Sequence, residues 1–303
     1  MKEWIGICVV ALGLSCQSSS QAPQVTLGKL TYTKSFKSKI IDSRPIAIWT
    51  SPNFDPNKEH ITLYMHDGQM LFDANTTWNQ QEWEVDEHLS HLISENHTPA
   101  FVVVGIYNNG PKRHSEYFPQ KPFENLPLFF QDSIYKETLR GPQQPLFNGK
   151  IYSDDYLRFI VTELKPFVED LYGKTEPQHT WIGGASMGGL ISWYALNEYP
   201  EVFGKALCFS THWPGVWPQD DPKKKVLNAF LDYQKNHLSQ ENQHWYFDHG
   251  DQTLDQYYLP YQLAMNEAMN KTAIHYLSYP GTDHSEKSWS AHFEKAIKLL
   301  LTQ

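Results

Sequence analysis

The sequence predicts an α/β protein: a mostly parallel central sheet with helices on both faces, in one domain. Three observations carry this. Short apolar strands alternate with segments of helical spacing along most of the 303 residues. Several strands, Phe101–Ile106 above all, are unbroken apolar runs, as in sheets buried on both faces. The composition, 40% hydrophobic and 19% charged, is globular and excludes disorder, collagen-like sequence and a disulfide scaffold.

The elements follow in order. Val25–Phe36 and Lys39–Thr50 read as strands joined by a turn at Ser35–Ser38. Ile61–Met65 is a buried strand, Glu84–Ser94 a helix with Val85, Leu89 and Leu92 on one face, and Phe101–Ile106 the next strand. Tyr156–Leu171 has amphipathic spacing, Thr180–Gly183 is a strand, Met187–Asn197 a helix and Ala206–Ser210 a strand. Trp245–Asp248 and Ile274–Tyr279 are the last strands, and Ser288–Leu301 closes the chain as a helix. Asn108–Ser153 and Thr211–Asn242 lack this rhythm and read as functional loops or short-helix insertions.

Charge limits the partners. With 25 Lys and Arg against 34 Asp and Glu, the net charge of −9 repels phosphate backbones, so no nucleic-acid partner is expected. No His-Glu-x-x-His or cysteine cage occurs, His88 and His91 read as the solvent face of a helix, and neither metal nor cofactor is expected.

Gly184-Ala185-Ser186-Met187-Gly188 lies between a strand and a helix. A turn that tight leaves no room for side chains two residues either side of the serine, and it lifts the hydroxyl above the sheet. Ser186 is therefore the expected nucleophile, and the amide of Met187 an oxyanion donor at the helix start. The order serine, acid, histidine of α/β-hydrolases directs the search downstream. His275 falls inside a strand and His292 inside the last helix, which leaves His284, in the loop between them, as the base. Asp251 and Asp255 both follow the strand Trp245–Asp248 at a suitable distance, and Asp248 serves if that strand ends early. Met65-His66-Asp67-Gly68-Gln69-Met70 supplies the second oxyanion amide, from Gln69, with His66 and Asp67 as structural residues at the loop base. Expected walls of the pocket are Trp78, Trp83, Trp213 and Trp217, with Arg113, Tyr117 and several Phe added by the 108–153 insertion.

The combination resembles the putative-esterase family of α/β-hydrolases, which includes enterochelin, feruloyl and acetyl-xylan esterases, S-formylglutathione hydrolases and mycolyltransferases. The resemblance rests on Tyr64–Gln69, Trp78-Asn79 with Glu82-Trp83, Val104-Gly105-Ile106, Arg113 with Glu116-Tyr117, and Phe159–Pro166. It continues through Gly184–Gly189, Tyr199–Phe203 and His284-Ser285-Glu286, about Lys34 to Leu300 in all. Its members place the acid at a Leu-Asp pair, matching Leu254-Asp255, which favours Asp255 with Asp251 next. The resemblance implies a serine esterase acting through an acyl-enzyme. Aromatic walls suit short or aromatic acyl esters of a polar alcohol, carbohydrate or siderophore-like. An acyltransferase with the same triad is the other chemistry such a site supports.

Residues 1–24 read as a leader and tether, and 25–303 as the esterase domain. Lys2, the apolar run Trp4–Leu14 and Cys16 before a Ser/Gln tract resemble a bacterial lipoprotein leader, with Gly13 where a branched residue is usual. The expectation is an exported protein, in the periplasm or on the outer surface, whose contact with membrane is a lipid on Cys16. Cys208 is then the one thiol of the mature domain. Asn-x-Thr sequons at Asn75, Asn96 and Asn270 read as chance.

Overall fold

The computed structural model describes residues 22–95, 98–141, 144–217, 219–237, 243–269 and 273–303. The leader with Cys8 and Cys16, and the sequon residues Asn96 and Asn270, lie outside the described residues.

Strands β1 (Lys29–Phe36) and β2 (Arg44–Thr50) pair antiparallel. The second strand starts later than its β-branched sequence predicts, because the Ser38 hydroxyl accepts the amides of Ile40 and Ile41 and turns the chain away from the ladder. β3 (His60–His66), helix α1 (Val85–Ser94) and β4 (Ala100–Ile106) form a crossover unit between parallel strands. The 108–153 insertion folds into α2 (Arg113–Tyr117), α3 (Gln120–Glu124), α4 (Leu128–Glu137) and a small hairpin of β5 (Leu139–Gly141) and β6 (Gln144–Pro145).

The amphipathic stretch after it is α5 (Ser153–Phe159), a π turn over Ile160–Leu164 and α6 (Lys165–Tyr172). Pro166 has no N–H to return to the Thr162 carbonyl, so the α ladder is interrupted there. Then come β7 (Thr180–Ala185), α7 (Met187–Glu198), β8 (Lys205–Phe209), α8 (Lys225–Asn236), β9 (His244–His249), α9 (Leu259–Ala268), β10 (Ile274–Ser278) and α10 (Glu286–Leu301). Helix α8 stands inside the expected irregular stretch; Val226, Leu227, Phe230 and Tyr233 are its buried face at helical spacing.

The sheet order is β1-β2-β4-β3-β7-β8-β9-β10, with β2 antiparallel to both neighbours and β3, β4 and β7 to β10 parallel. Alternation divides two cores. Ile46, Ile48, Val102 and Val104 face one side, packed with α7 and the insertion's Phe118, Phe123 and Phe147. Ala47, Trp49, Leu63 and Val103 face the other, under Leu89 of α1 and Phe293 and Ile297 of α10. Helix α7 runs buried nearly throughout, through Leu190, Trp193 and Tyr194, which fixes its first turn rigidly at the carboxyl edge of the sheet. That edge, where the βα loops converge, is where open α/β sheets place their sites.

Candidate active site

Ser186 sits between β7 and α7 at φ 58°, ψ −120°, a backbone conformation that costs on the order of 1–3 kcal/mol for a residue with a Cβ. Two bonds hold it there: its amide donates to Phe209 O at 2.9 Å, and its carbonyl accepts from His212 N at 3.1 Å. The flanking glycines answer to sterics. A Cβ on Gly184 would lie 3.1 Å from the Gly188 backbone, tighter than an ordinary contact, whereas one on Gly188 would touch His66 and Asp67 at 3.4 Å. The first amides of α7, Met187 included, have no acceptor within the helix, which begins directly after Ser186.

His284 hangs in the loop after β10, its amide held by Thr253 Oγ1 at 2.9 Å. Its Nδ1 meets Asp255 Oδ1 at 2.6 Å. Asp255 is buried, and its second oxygen accepts from Ser210 Oγ at 2.6 Å and from Gly250 N at 2.7 Å. Burial pushes this carboxyl up, but His284 and those donors more than offset it and leave it below its ordinary value. Of the three candidate acids, Asp255 alone meets the imidazole. Asp251 is exposed and holds the Gly281 amide at 2.8 Å, pinning the loop that carries His284. Asp248 is buried behind the site with Ser210 N, the Tyr246 hydroxyl and, at 3.4 Å, His292 Nδ1.

The loop after β3 is set by Gly68, where a Cβ would lie 2.3 Å from the Gly105 carbonyl carbon. Asp67, at φ 56°, points its carboxylate to Arg113, which donates from Nε and Nη2 at 2.7 Å each, while Asn108 Nδ2 adds a third bond at 2.7 Å. Burial alone would raise the Asp67 carboxyl; the guanidinium wins and holds it below its ordinary value. His66 is kept neutral, pushed down to about 3 by burial, with Nδ1 on the Tyr156 hydroxyl at 2.8 Å. Both residues brace the loop that presents Gln69 to the cleft.

The cleft above Ser186 has a volume of about 260 Å3 and is lined by His284, Gln69, Arg113, Trp78 and Trp83, among others. Trp78 is 74% exposed at the rim, whereas Trp83 is buried and packs on Trp289 with ring centroids 5.5 Å apart. Three expected wall residues stand elsewhere. Trp213 is fully buried, wedged against Trp193 and Phe247 with Nε1 on Gln262. Tyr117 is buried beneath Arg113, its hydroxyl on the Asp67 amide at 3.3 Å. Trp217 is half-buried and donates to Leu139 O, outside the cleft. The insertion's Phe118, Phe123 and Phe147 are core as well. For Tyr117 and these Phe residues apolar area went to the interior of the insertion, and for Trp213 to the core beside α7 and β9.

Sequence reasoning missed Trp289, Glu286, Asn108 and Ser210. Trp289 closes one wall and its ring meets His284 edge-on at 5.0 Å. Glu286 faces the cleft with Asn79 Nδ2 on Oε2 at 2.7 Å, and burial raises its carboxyl above the ordinary value. Positions of an amphipathic α10 following His284 were the available signal for both. Among the described residues, no group of three or more His, Cys, Asp or Glu is placed to hold a metal, and no helix is long and apolar enough to cross a membrane.

Strand order, elbow and loop placement define an α/β-hydrolase fold. Within it, the chain belongs to the putative-esterase family, whose model matches residues 38–300. It is 30% identical over 165 residues to the uncharacterised protein YbbA of Bacillus subtilis (strain 168), a match covering 54% of each chain. Its fold is similar to that of the enterobactin esterase FES of Shigella flexneri, with a TM-score of 0.65 at 19% identity over 92% of this chain and 61% of that one. A ferulic acid esterase gives 0.58 at 16% over 90% and 98%, and the feruloyl esterase module of Clostridium thermocellum 0.59 at 16% over 91% and 89%. The chain thus spans about half the length of the curated relative and about three fifths of FES.

Proposed function

We propose that this protein is a serine carboxylic-ester hydrolase working through an acyl-enzyme. The contact that carries the reading is His284 Nδ1 on buried Asp255 Oδ1 at 2.6 Å, beside an elbow serine. Ser186 Oγ attacks the ester carbonyl carbon as its proton passes to His284 Nε2, and Asp255 holds the tautomer that leaves Nε2 free to accept. The tetrahedral oxyanion takes hydrogen bonds from the amides of Gln69 and Met187, each worth roughly 10²–10³ in rate. Collapse breaks the C–O bond to the alcohol, which leaves with the proton from His284. Water, deprotonated by His284, then attacks the acyl-enzyme, and Ser186 departs with that proton restored.

The substrate reading is a short or aromatic acyl ester of a polar alcohol, such as a carbohydrate or a siderophore. Supporting it are Trp78 at the rim and Trp83 and Trp289 within, set among Arg113, Asn108 and Glu286. Flat apolar faces beside hydrogen-bonding groups suit rings with polar edges. A panel of p-nitrophenyl esters, sugar acetates, feruloyl esters and siderophore lactones tests this; best turnover on esters of about twelve carbons or more would overturn it. Lipidation of Cys16 after export is part of the same proposal, supported by the leader and the Ser/Gln tract after it. Cys16→Ser should release the protein from membranes, and unchanged partition would refute the anchor.

A further inference from the structure

The turn that carries Asp255 delivers a second group to the nucleophile. Tyr258 N donates to Asp255 O at 3.0 Å, so the acid and this tyrosine occupy one turn of chain. The Tyr258 side chain is 2% exposed, its ring stands edge-on to His284 at 5.7 Å, its hydroxyl meets His212 Nδ1 at 2.6 Å, and Ser186 stands near enough to that hydroxyl to act on its ionisation. His212 is tied to the same point through its backbone, since its amide donates to Ser186 O at 3.1 Å. The elbow is thus flanked by two hydrogen-bonding side chains that neither the acid–base pair nor the oxyanion donors account for.

We infer that Tyr258 is a positioning residue whose O–H donates to Ser186 Oγ, with the proton direction set by a donating Nδ1–H on His212. The assignment rests on the serine mechanism proposed above. For Ser186 to hand its own proton to His284, Oγ must accept, not donate, on its other side, so Tyr258 is the donor there. The phenol oxygen then has room to accept, and the 2.6 Å partner must supply the proton. Burial agrees with both protonation states: it raises the phenol well above its ordinary value and, aided by nearby His284 and Arg113, lowers His212 to about 3. One neutral imidazole carries one ring proton, and the inference places it on Nδ1. The bond fixes the rotamer of Oγ during attack. It also stabilises the same oxygen as the C–Oγ bond breaks in deacylation, when Oγ takes the electron pair and receives its proton from His284.

The test is steady-state kinetics on p-nitrophenyl acetate for Tyr258→Phe, His212→Asn, His212→Leu and Ser186→Ala, with thermal melting of each. Tyr258→Phe removes one oxygen and should lower kcat about 10- to 30-fold with KM within about twofold. His212→Asn keeps an N–H donor near the Nδ1 position and should retain most of kcat, whereas His212→Leu should fall as far as Tyr258→Phe. Unchanged kcat in Tyr258→Phe, or a His212→Asn as damaged as His212→Leu at equal stability, overturns the inference. The two histidine variants leave the phenol in place, so they decide the matter even if Tyr258→Phe melts early. If Ser186→Ala stays active, the mechanism itself is wrong; if it is dead while Tyr258→Phe is intact, the tyrosine role alone fails.

Discussion

Ser210 and Asp255 are joined by a 2.6 Å hydrogen bond, Oγ to Oδ2, on the side of the carboxylate away from His284. Ser210 in turn accepts from Trp289 Nε1 at 2.9 Å, so a wall of the cleft and the acid beneath the imidazole share one hydroxyl. Ser210 holds this place at φ 39°, and its amide is satisfied by Asp248. Asp248 therefore supports the residue that supports the acid.

Ser210→Ala should lower kcat/KM about 10- to 100-fold, because a hydrogen bond to a charged group is worth roughly 1.5–3 kcal/mol and the Trp289 N–H loses its acceptor too. Ester hydrolysis by the purified variant, with its circular dichroism unchanged, checks this. A loss under twofold would mean that Gly250 N and His284 suffice to orient Asp255.

Ser186→Ala should cost on the order of 10⁶ in turnover with the fold intact. Asp255→Asn should be the damaging change among the acids and Asp251→Asn the mild one, since Asp251 is exposed and holds loop backbone. Equal losses in the two asparagine variants would transfer the acid's role.

One short helix, α2, presents two charges three residues apart with different duties. Glu116 pairs with Arg44 at 2.7 Å with both side chains almost wholly buried, whereas Arg113 grips Asp67 at the edge of the cleft. Arg44→Met should destabilise by about 3–5 kcal/mol, by stranding a buried carboxylate, and Arg44→Met with Glu116→Leu should recover much of it. Arg113→Met should instead show its main effect in activity, through the loop that carries Gln69. Denaturant melts beside kcat/KM separate the two.

Trp213→Ala should destabilise by about 3–5 kcal/mol through the cavity it leaves and should not shift ester preference selectively. Trp78→Ala, at an exposed rim position, should spare the melting temperature and weaken turnover of bulky polar esters while p-nitrophenyl acetate is spared. A specificity change confined to Trp213→Ala would place that ring back at the cleft.

Buried titratable groups act on the pH dependence of stability with both signs. Asp255 and Asp67 have carboxyls lowered by folding, so their contribution is complete above the ordinary range near 4 and is lost as pH falls through their lowered folded values. Glu82 and Asp86 are raised to about 7, by burial first, so the folded state binds more protons than the unfolded between about 4 and 7 and stability declines across that window as pH rises. His66 and His212, lowered to about 3 by burial first, act the other way: the unfolded chain binds their protons below the ordinary histidine value near 6.5, so their contribution grows as pH rises from about 3 to 6.5. Glu82→Gln removes one of the groups that oppose them, so between pH 4 and 7 its melting temperature should fall less, or rise more, than that of the parent. The same pH dependence in both proteins would contradict the raised Glu82 carboxyl.

The sequence by itself determined the sheet, the elbow and the order of its partners. Strand periodicity, tiny residues around Ser186 and a Gly-terminated loop are local requirements, and each is written in adjacent positions: a Cβ on Gly184 would lie 3.1 Å from the backbone of Gly188, four residues on. His284 was legible for a similar reason, since only one downstream histidine falls in a loop at the right edge. What tertiary structure decided was which groups meet across that edge. Asp251 and Asp255 are four residues apart and equally acidic, and only the path of the chain after β9 turns one inward and leaves the other in solvent. Trp213 and Trp78 are the same residue type in the same kind of loop, yet one is sealed in the core and the other stands at the rim. Burial is a property of everything packed around a side chain, and residues such as Ser210, Tyr258 and Trp289 acquire their place beside Ser186, Asp255 and His284 only when strands and helices distant in sequence close on one another.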